Sequence, residues 1–385
     1  MLIEIHMLKN YPPTNLNRDD TGAPKTCMFG GITRGRISSQ CLKRSWRRSP
    51  LLQEAVGKEN FGFRTRTFPE LVAKKLKEMG VNSEYVEAIR PKLAEFAKSD
   101  SKGNAKENSE ETTKTKKMQM IFFAESDIAI IAERVKEKLD TCTSLESVKK
   151  LKAKDLKQEI DDAKTRSITL DIALFGRMVT SEAFRNVEAS MQVAHAISTN
   201  KMTKESDYFT AMDDLLSGES PDEMGAGMIQ ETDYNSACYY VYASLDTDAL
   251  LENLKFTDHA EELVQKAVPA LIRTMALTNP SGKQNSFAGN VLPSAMLVEC
   301  KEQKIPTSMV NAFVEPVRPN QDGDLVYNSI VRLAEEADSL ARNYGLEVSR
   351  RFWFCVDKYQ VELECQAEKC ESLPSLIQAV KAEIN

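Results

Sequence analysis

The residues Leu2–Lys9 alternate Ile3, Ile5 and Met7 with Glu4, His6 and Leu8, the two-residue period of a half-buried strand, which sets His6 on the face opposite Ile3. A strand that opens a chain must find its partners elsewhere. Further strand-forming runs come only much later: Ser167–Leu174, with Ile168, Leu170 and Ile172 alternating, then Cys238–Tyr242, Ser294–Glu299 and Phe352–Leu363. Helical patterns separate them, from Ser38 to before Pro50, over 68–98, over about 126–164, and over 258–277 and 324–344. The chain is therefore expected to be α+β, a small sheet gathered from distant segments with insertions projecting from it. Residues 67–165 read as one helical insertion, and 99–117, almost without apolar side chains, as a surface excursion. No internal repeat of roughly 20 to 50 residues is visible, so repetition would have to come from assembly of copies.

With 385 residues the chain suits two domains, or one with large insertions. The opening MLIEIHMLKNYPPTN has no basic segment ahead of a long apolar run, and no stretch reaches the roughly 18 apolar residues needed to span a bilayer. A soluble, unexported, cytoplasmic protein with no membrane partner is expected. Its eight cysteines never form a CxxC pair, and only His6, His195 and His259 stand beside them as nitrogen ligands. No metal and no cofactor is expected, and the thiols are read as reduced.

The net charge of −6 speaks against a polyanion partner only if it is evenly spread. Residues 1–66 hold twelve Lys/Arg against five Asp/Glu, a balance of +7, which leaves −13 for the remainder. One basic face on an acidic body suits a protein that holds a nucleic acid and stays soluble.

The sharpest motif is Arg34-Gly-Arg-Ile-Ser-Ser-Gln-Cys-Leu-Lys-Arg-Ser-Trp-Arg-Arg48, six cations and no acid in fifteen residues. On a helix capped by Ser38, Lys43 and Arg47 share a face, and Arg44 and Arg48 form the next stripe. The free N–H groups of its first turn, with Ser38, Ser39 and Gln40, offer a phosphate cradle beside Arg34 and Arg36. Upstream, Leu16-Asn-Arg-Asp-Asp20 leaves two readings open. Arg18 grips a phosphate with an aspartate orienting it, or Asp19 and Asp20 hold a divalent metal for phosphodiester cleavage.

Phe175–Ser181 offers a cation in Arg177, an apolar wedge in Met178 and the hydroxyls of Thr180 and Ser181; a polar turn at a strand end is the plainer alternative. Residues 206–234 read as a long protruding hairpin. There Tyr208, Phe209, Met228 and Ile229 either stack on splayed bases or bury against the chain's own core. Lys283-Gln284-Asn285 is a further donor-bearing loop.

Taken together, Leu16-Asn-Arg-Asp, Lys25, Phe29-Gly-Gly31, Arg36-Ile-Ser-Ser-Gln-x-Leu-Lys-Arg44, Asp171-Ile-Ala-Leu-x-Gly-Arg-Met178, Ala194-His-Ala-Ile197, Asp207-Tyr-Phe-Thr-Ala-Met-Asp-Asp214 and Met309-x-Asn-Ala-Phe313 resemble the CasC family. That family supplies the repeated backbone subunit of the type I-E CRISPR Cascade surveillance complex. The resemblance runs in order from the first strand to about residue 350. It implies a modified RNA-recognition-motif, ferredoxin-like palm sheet (1–66, 166–205 and 235–385), a helical finger insertion (67–165) and a thumb hairpin (206–234).

It further implies a non-catalytic subunit that polymerises along a CRISPR guide RNA, presents the guide to a target DNA strand, and joins other Cascade subunits in antiviral defence. Arg18, Lys25, Ser38, Ser39, Gln40, Lys43, Arg44 and Arg47 would hold the guide backbone, with Arg177, Met178, Thr180 and Ser181 beside it. The thumb would reach over the guide held by a neighbour. The family often carries a Trp-Phe pair where this chain has Tyr208-Phe209. A metal-dependent ribonuclease and a general single-strand binder are the competing readings.

Overall fold

The computed structural model describes residues 1–96, 121–152, 156, 168–178, 186–211, 228–319 and 324–384. The chain divides into two compact units, the first made of Met1–Ala55, Gln192–Thr247 and Gln265–Asn385, the second of Val56–Met191 and Asp248–Val264. The second unit is thus wider at both ends than the expected 67–165 insertion and recruits a short later segment.

The first unit is built on β1 (Leu2–Thr14), β2 (Thr26–Phe29), β3 (Ile32–Ile37), β6 (Met191–Val193), β7 (Ala196–Ser198), β8 (Glu205–Ala211), β9 (Met228–Asp246), β10 (Ala295–Lys301), β11 (Arg350–Cys355) and β12 (Glu368–Cys370). They form one ten-stranded sheet in the order β12-β11-β10-β1-β9-β7-β3-β2, with β6 and β8 also paired to β9. The β11–β12 pair is parallel and the other registered pairs are antiparallel. The sheet is larger than the small one expected. Its helices are α1 (Ser39–Arg47), α2 (Pro50–Val56), most of α9 (Ala260–Leu277), the short α10 (Gln284–Phe287), α11 (Leu325–Tyr344) and α12 (Leu373–Ile384).

β1 lies at the centre, Ile5 registered against Val298 of β10 and Ala243 of β9. Both of its faces are covered, so the half-buried expectation is corrected: Ile3, Ile5 and Met7 are buried, and so are Glu4, His6 and Leu8. Leu8 joins Tyr240, Leu297, Phe313, Ile330, Leu333 and Trp353 in a core between the sheet and α11.

Charge on that face is tolerable because it is paired. Glu4 accepts from Lys301, from the Tyr242 hydroxyl and from the Thr307 N–H at 2.6 Å. Glu299 takes Lys301 at 3.0 Å and Arg351 at 2.6 Å. Burial alone would raise the Glu299 carboxyl, but Lys301, His6 and Arg351 hold it below its ordinary value.

The second unit holds β4 (Phe63–Thr65), paired with β5 (Ile121–Phe123), and the helices α3 (Phe68–Glu78), α4 (Ser83–Phe96), α5 (Glu125–Asp140), α6 (Leu145–Lys150), α7 (Leu170–Phe175) and α8 (Thr247–Leu254). Phe68, Val72, Leu76, Ile89, Leu93, Phe123, Ile131, Val135 and Val148 form its core, apolar positions recurring at three and four residues as an amphipathic helix requires. The continuous helix read over 68–98 is broken at Gly80, whose φ of +79° ends α3.

Two strand expectations are overturned. Leu170–Phe175 is helical, with Leu170, Asp171, Ile172, Ala173 and Leu174 all buried and the Asp171 carboxylate accepting the Gly62 N–H at 2.9 Å. The strand expected over Phe352–Leu363 stops at Cys355, and a further short strand, β12, follows it. Between the two the chain is held by side chains: Trp353 Nε1 donates to the Val361 carbonyl at 2.8 Å, and Asp338 of α11 accepts from the N–H groups of Glu364 and Cys365. The excursion at 99–117 lies outside the described residues.

Candidate nucleic-acid interface

In the first unit, the loop after β1 and the start of α1 are tied to each other by backbone and amide bonds. Asn17 is the clamp. Its side-chain oxygen accepts the Ser38 N–H at 2.8 Å, and its carbonyl accepts the Lys25 N–H at 2.8 Å. Asn15 donates to the carbonyls of Gly22 and Asp233, and Asp19 closes an Asx turn by accepting from Thr21 and the Ala23 N–H. The Thr21 hydroxyl, followed by the backbone N–H groups of the turn, holds the Asp19 carboxyl below its ordinary value. Gly282 backs onto this loop so closely that a Cβ there would sit 2.1 Å from the Leu16 carbonyl oxygen.

The result is an open cleft of about 540 Å³ lined by residues 16–22, Cys41, Arg44, Ser45, Ser281 and Gly282. Arg18, Gln40, Arg44 and Arg48 are exposed, and Lys25, Ser39, Lys43 and Arg47 are half-buried. Ser38 is the helix N-cap: its hydroxyl accepts the Cys41 N–H at 3.3 Å. Leu42 and Trp46 are the buried face of α1, so Lys43, Arg44, Arg47 and Arg48 are driven to its other sides. No acid occupies the first turn, and Arg44 and Arg47 fall in the last. Beside the cleft, Arg36 donates through Nε to the Thr26 carbonyl at 3.1 Å, and its Nη1 lies 3.0 Å from His195 Nδ1.

Not every cation of the motif faces outward. Arg34 is fully buried and its guanidinium donates to four backbone carbonyls, those of Ser198, Thr199, Phe313 and Val314, at 2.6–3.0 Å. The expected phosphate role of Arg34 is therefore corrected: it locks β3 to two distant segments. Next to it, the β2–β3 turn uses Gly30 and Gly31, at φ +59° and +74°, and a Cβ on Gly30 would lie 2.3 Å from the Val314 oxygen.

Arg177 is corrected in the same way. It is buried in the second unit, with Nη1 3.0 Å from Asp127 and 3.3 Å from the Phe122 carbonyl oxygen. Its neighbour Met178 is 90% exposed, so the wedge residue is presented while the cation beside it is a strut. Met178, Phe175, Phe122 and Arg64 line a second cleft, of about 490 Å³. Thr180 and Ser181 lie outside the described residues.

The hairpin expected over 206–234 has both arms in place, β8 pairing β9 from Glu205↔Tyr234 to Ala211↔Met228. Its second arm is the first part of a 19-residue strand that continues into the sheet centre beside β1. Tyr208 and Phe209, adjacent on β8 and so on opposite faces, are 63% and 39% exposed, which removes burial in the chain's own core as the reason for them. Glu231 and Gln230 lie opposite them on β9, and Met228 and Ile229 are further along it, paired with Ala211 and Thr210. Residues 212–227 lie outside the described residues. Lys283 is half-buried with φ +51°, and Gln284 turns its amide inward to the carbonyls of Pro280 and Gly289, so its expected outward contact is corrected to closure of its own loop.

Asn17 and His195 both stand within the motifs above, and the motifs alone give neither a role. Asn17 carried a signal, an amide in a turn ahead of a helix cap; His195 carried none until folding set it against Arg36.

A search of curated proteins finds no match. Among solved structures, the chain is similar to one described as "CRISPR RNA-guided surveillance complex, pre-nicking", with 26% identity, full coverage of both chains and a TM-score of 0.79. It shares its fold with another described as "CRISPR RNA-guided surveillance complex", at 22% identity, full coverage of both and a TM-score of 0.70. The family model for CT1975-like protein matches residues 3–379. With that match spanning nearly its whole length, and in agreement with the resemblance its motifs carry, the chain belongs to the CT1975-like protein family.

Proposed function

We propose that this protein is a non-catalytic, guide-RNA-binding backbone subunit of a type I-E-like CRISPR surveillance complex. Copies assemble along one RNA and present it, with other subunits, to a target DNA strand. The observation that carries this reading is the open cleft into which Arg18 and Arg44 are set, beside a helix that carries the further cations Lys43, Arg47 and Arg48, on a frame fixed by Asn15, Asn17 and the Ser38 cap. Cations on a pre-formed frame bind phosphates without reading bases, which leaves sequence to base pairing.

The hairpin supports the same reading, since exposed aromatics on a paired ribbon suit stacking against splayed bases of any identity. In this proposal the ten-stranded unit is the palm, the helical unit the finger and the β8–β9 ribbon the thumb. The setting is cytoplasmic antiviral defence. Among the described residues, no helix is long and apolar enough to cross a membrane.

The test is co-expression with a CRISPR array, purification through this subunit, and sizing of the RNA and the complex together. Guide-length RNA in a multi-copy assembly is the expected result. Heterogeneous RNA on a single copy would favour a general single-strand binder, and periodic cutting of complementary RNA with magnesium, lost in Asp19→Ala, would make it a nuclease.

A further inference from the structure

His195 is exposed, between β6 and β7, and receives a hydrogen bond from a partner that has no lone pair to offer. Arg36 Nη1 is a donor only, so at 3.0 Å it fixes His195 Nδ1 as the acceptor and leaves the ring proton on Nε2. The imidazole is therefore neutral in the free protein. The charged groups that act on it are both cations: Arg36, from β3, and Lys25, on the approach to β2, whose carbonyl accepts the Arg36 N–H at 2.8 Å. Partial desolvation, then Arg36 and then Lys25, lower the pKa of His195.

Three groups thus converge in which two positive charges suppress a third. A phosphate arriving among them reverses the balance. Protonation of Nδ1 ends its role as acceptor, so the Arg36 Nη1 donor is released at the same moment that the imidazolium gains a second N–H.

We propose that His195 is a further polyanion contact of this site, taking up one proton from solvent as a strand phosphate docks and freeing the Arg36 guanidinium to bind that phosphate with it. The inference rests on the nucleic-acid reading above and adds to it that binding is coupled to a proton. Affinity should rise as pH falls, about tenfold for each unit by which the bound strand raises the imidazole pKa.

The chain has three histidines, which makes the effect assignable. His6 is fully buried within β1, and His259 belongs to the second unit, 3.6 Å from Glu262. The experiment is fluorescence anisotropy of the full-length protein with labelled oligouridylate from about pH 8 to about pH 5.5 at fixed salt, a range in which histidine titrates. The wild type and His259→Gln should bind more tightly as pH falls. His195→Gln should show a flat profile with an unchanged melting temperature, and the permanently charged His195→Lys should bind at about pH 8 as the wild type does at about pH 5.5.

The salt slope of the wild type should also steepen by about 0.7 on acidification, as one added phosphate-neutralising charge requires. A flat wild-type profile, or the same pH dependence in His195→Gln, would overturn the proposal while leaving RNA binding intact. Absence of oligouridylate binding at every pH would instead sink the nucleic-acid reading, and this inference with it.

Discussion

Arg34 and Lys9 are cations that the fold keeps for itself. Lys9 of β1 is almost fully buried, its ammonium donating to the Thr278 carbonyl at 3.1 Å and to Asn279 Oδ1 at 3.4 Å, just past the end of α9. Burial lowers its pKa to about 7 from an ordinary 10.5. A lysine whose folded pKa is depressed leaves stability intact above its unfolded pKa, and the penalty grows as pH falls until the folded pKa is reached. Lys9→Met should therefore gain on the wild type by about 1.4 kcal/mol per pH unit between about pH 10 and about pH 7, and by a constant margin below. Urea unfolding at both ends of that window would show it; a gap independent of pH would mean that Lys9 stays charged in the folded state.

At the scale of elements, α1 concentrates the proposed binding. Replacing Lys43 and Arg47 together by alanine should weaken RNA binding and reduce the slope of log affinity against log salt by about 1.4, two phosphate contacts on a single strand. An unchanged slope would remove this helix from the binding face.

The helix itself was legible in the sequence because cap, amphipathic stripe and a following proline all agree: Ser38, then Leu42 and Trp46, then Pro50. Leu170–Phe175 was not, since five consecutive buried residues look the same to a period of two as to a short helix, and the bond that the Gly62 N–H donates to Asp171 comes from far along the chain. Tyr11-Pro-Pro-Thr14 reads as loop, yet it extends β1, because the prolines fall at an irregularity in the β1–β9 register between Tyr11 and Thr14. In the site, the exposed cations of α1 followed from the helical period. The inward turn of Arg34 depended on carbonyls more than 150 residues away, to which local pattern is blind.

For the whole molecule, the excess of positive charge over residues 1–66 and the acidic remainder give one chain two complementary characters. If copies assemble along RNA, native mass spectrometry with single-stranded RNAs of increasing length should show the number of bound copies rising in proportion to length. One copy on every RNA would contradict assembly and leave a lone binder.

β9 runs unbroken from the ribbon that carries Tyr208 and Phe209 opposite it to the strand that lies against Ile3 and Ile5. Gaining or losing a single codon anywhere along it would exchange its two faces, turning core tyrosines toward the wrong side and re-pairing the ribbon at one stroke. Heredity can therefore tinker with the letters of this segment but not with its count, and a change of frame in the ribbon is inherited by the heart of the sheet.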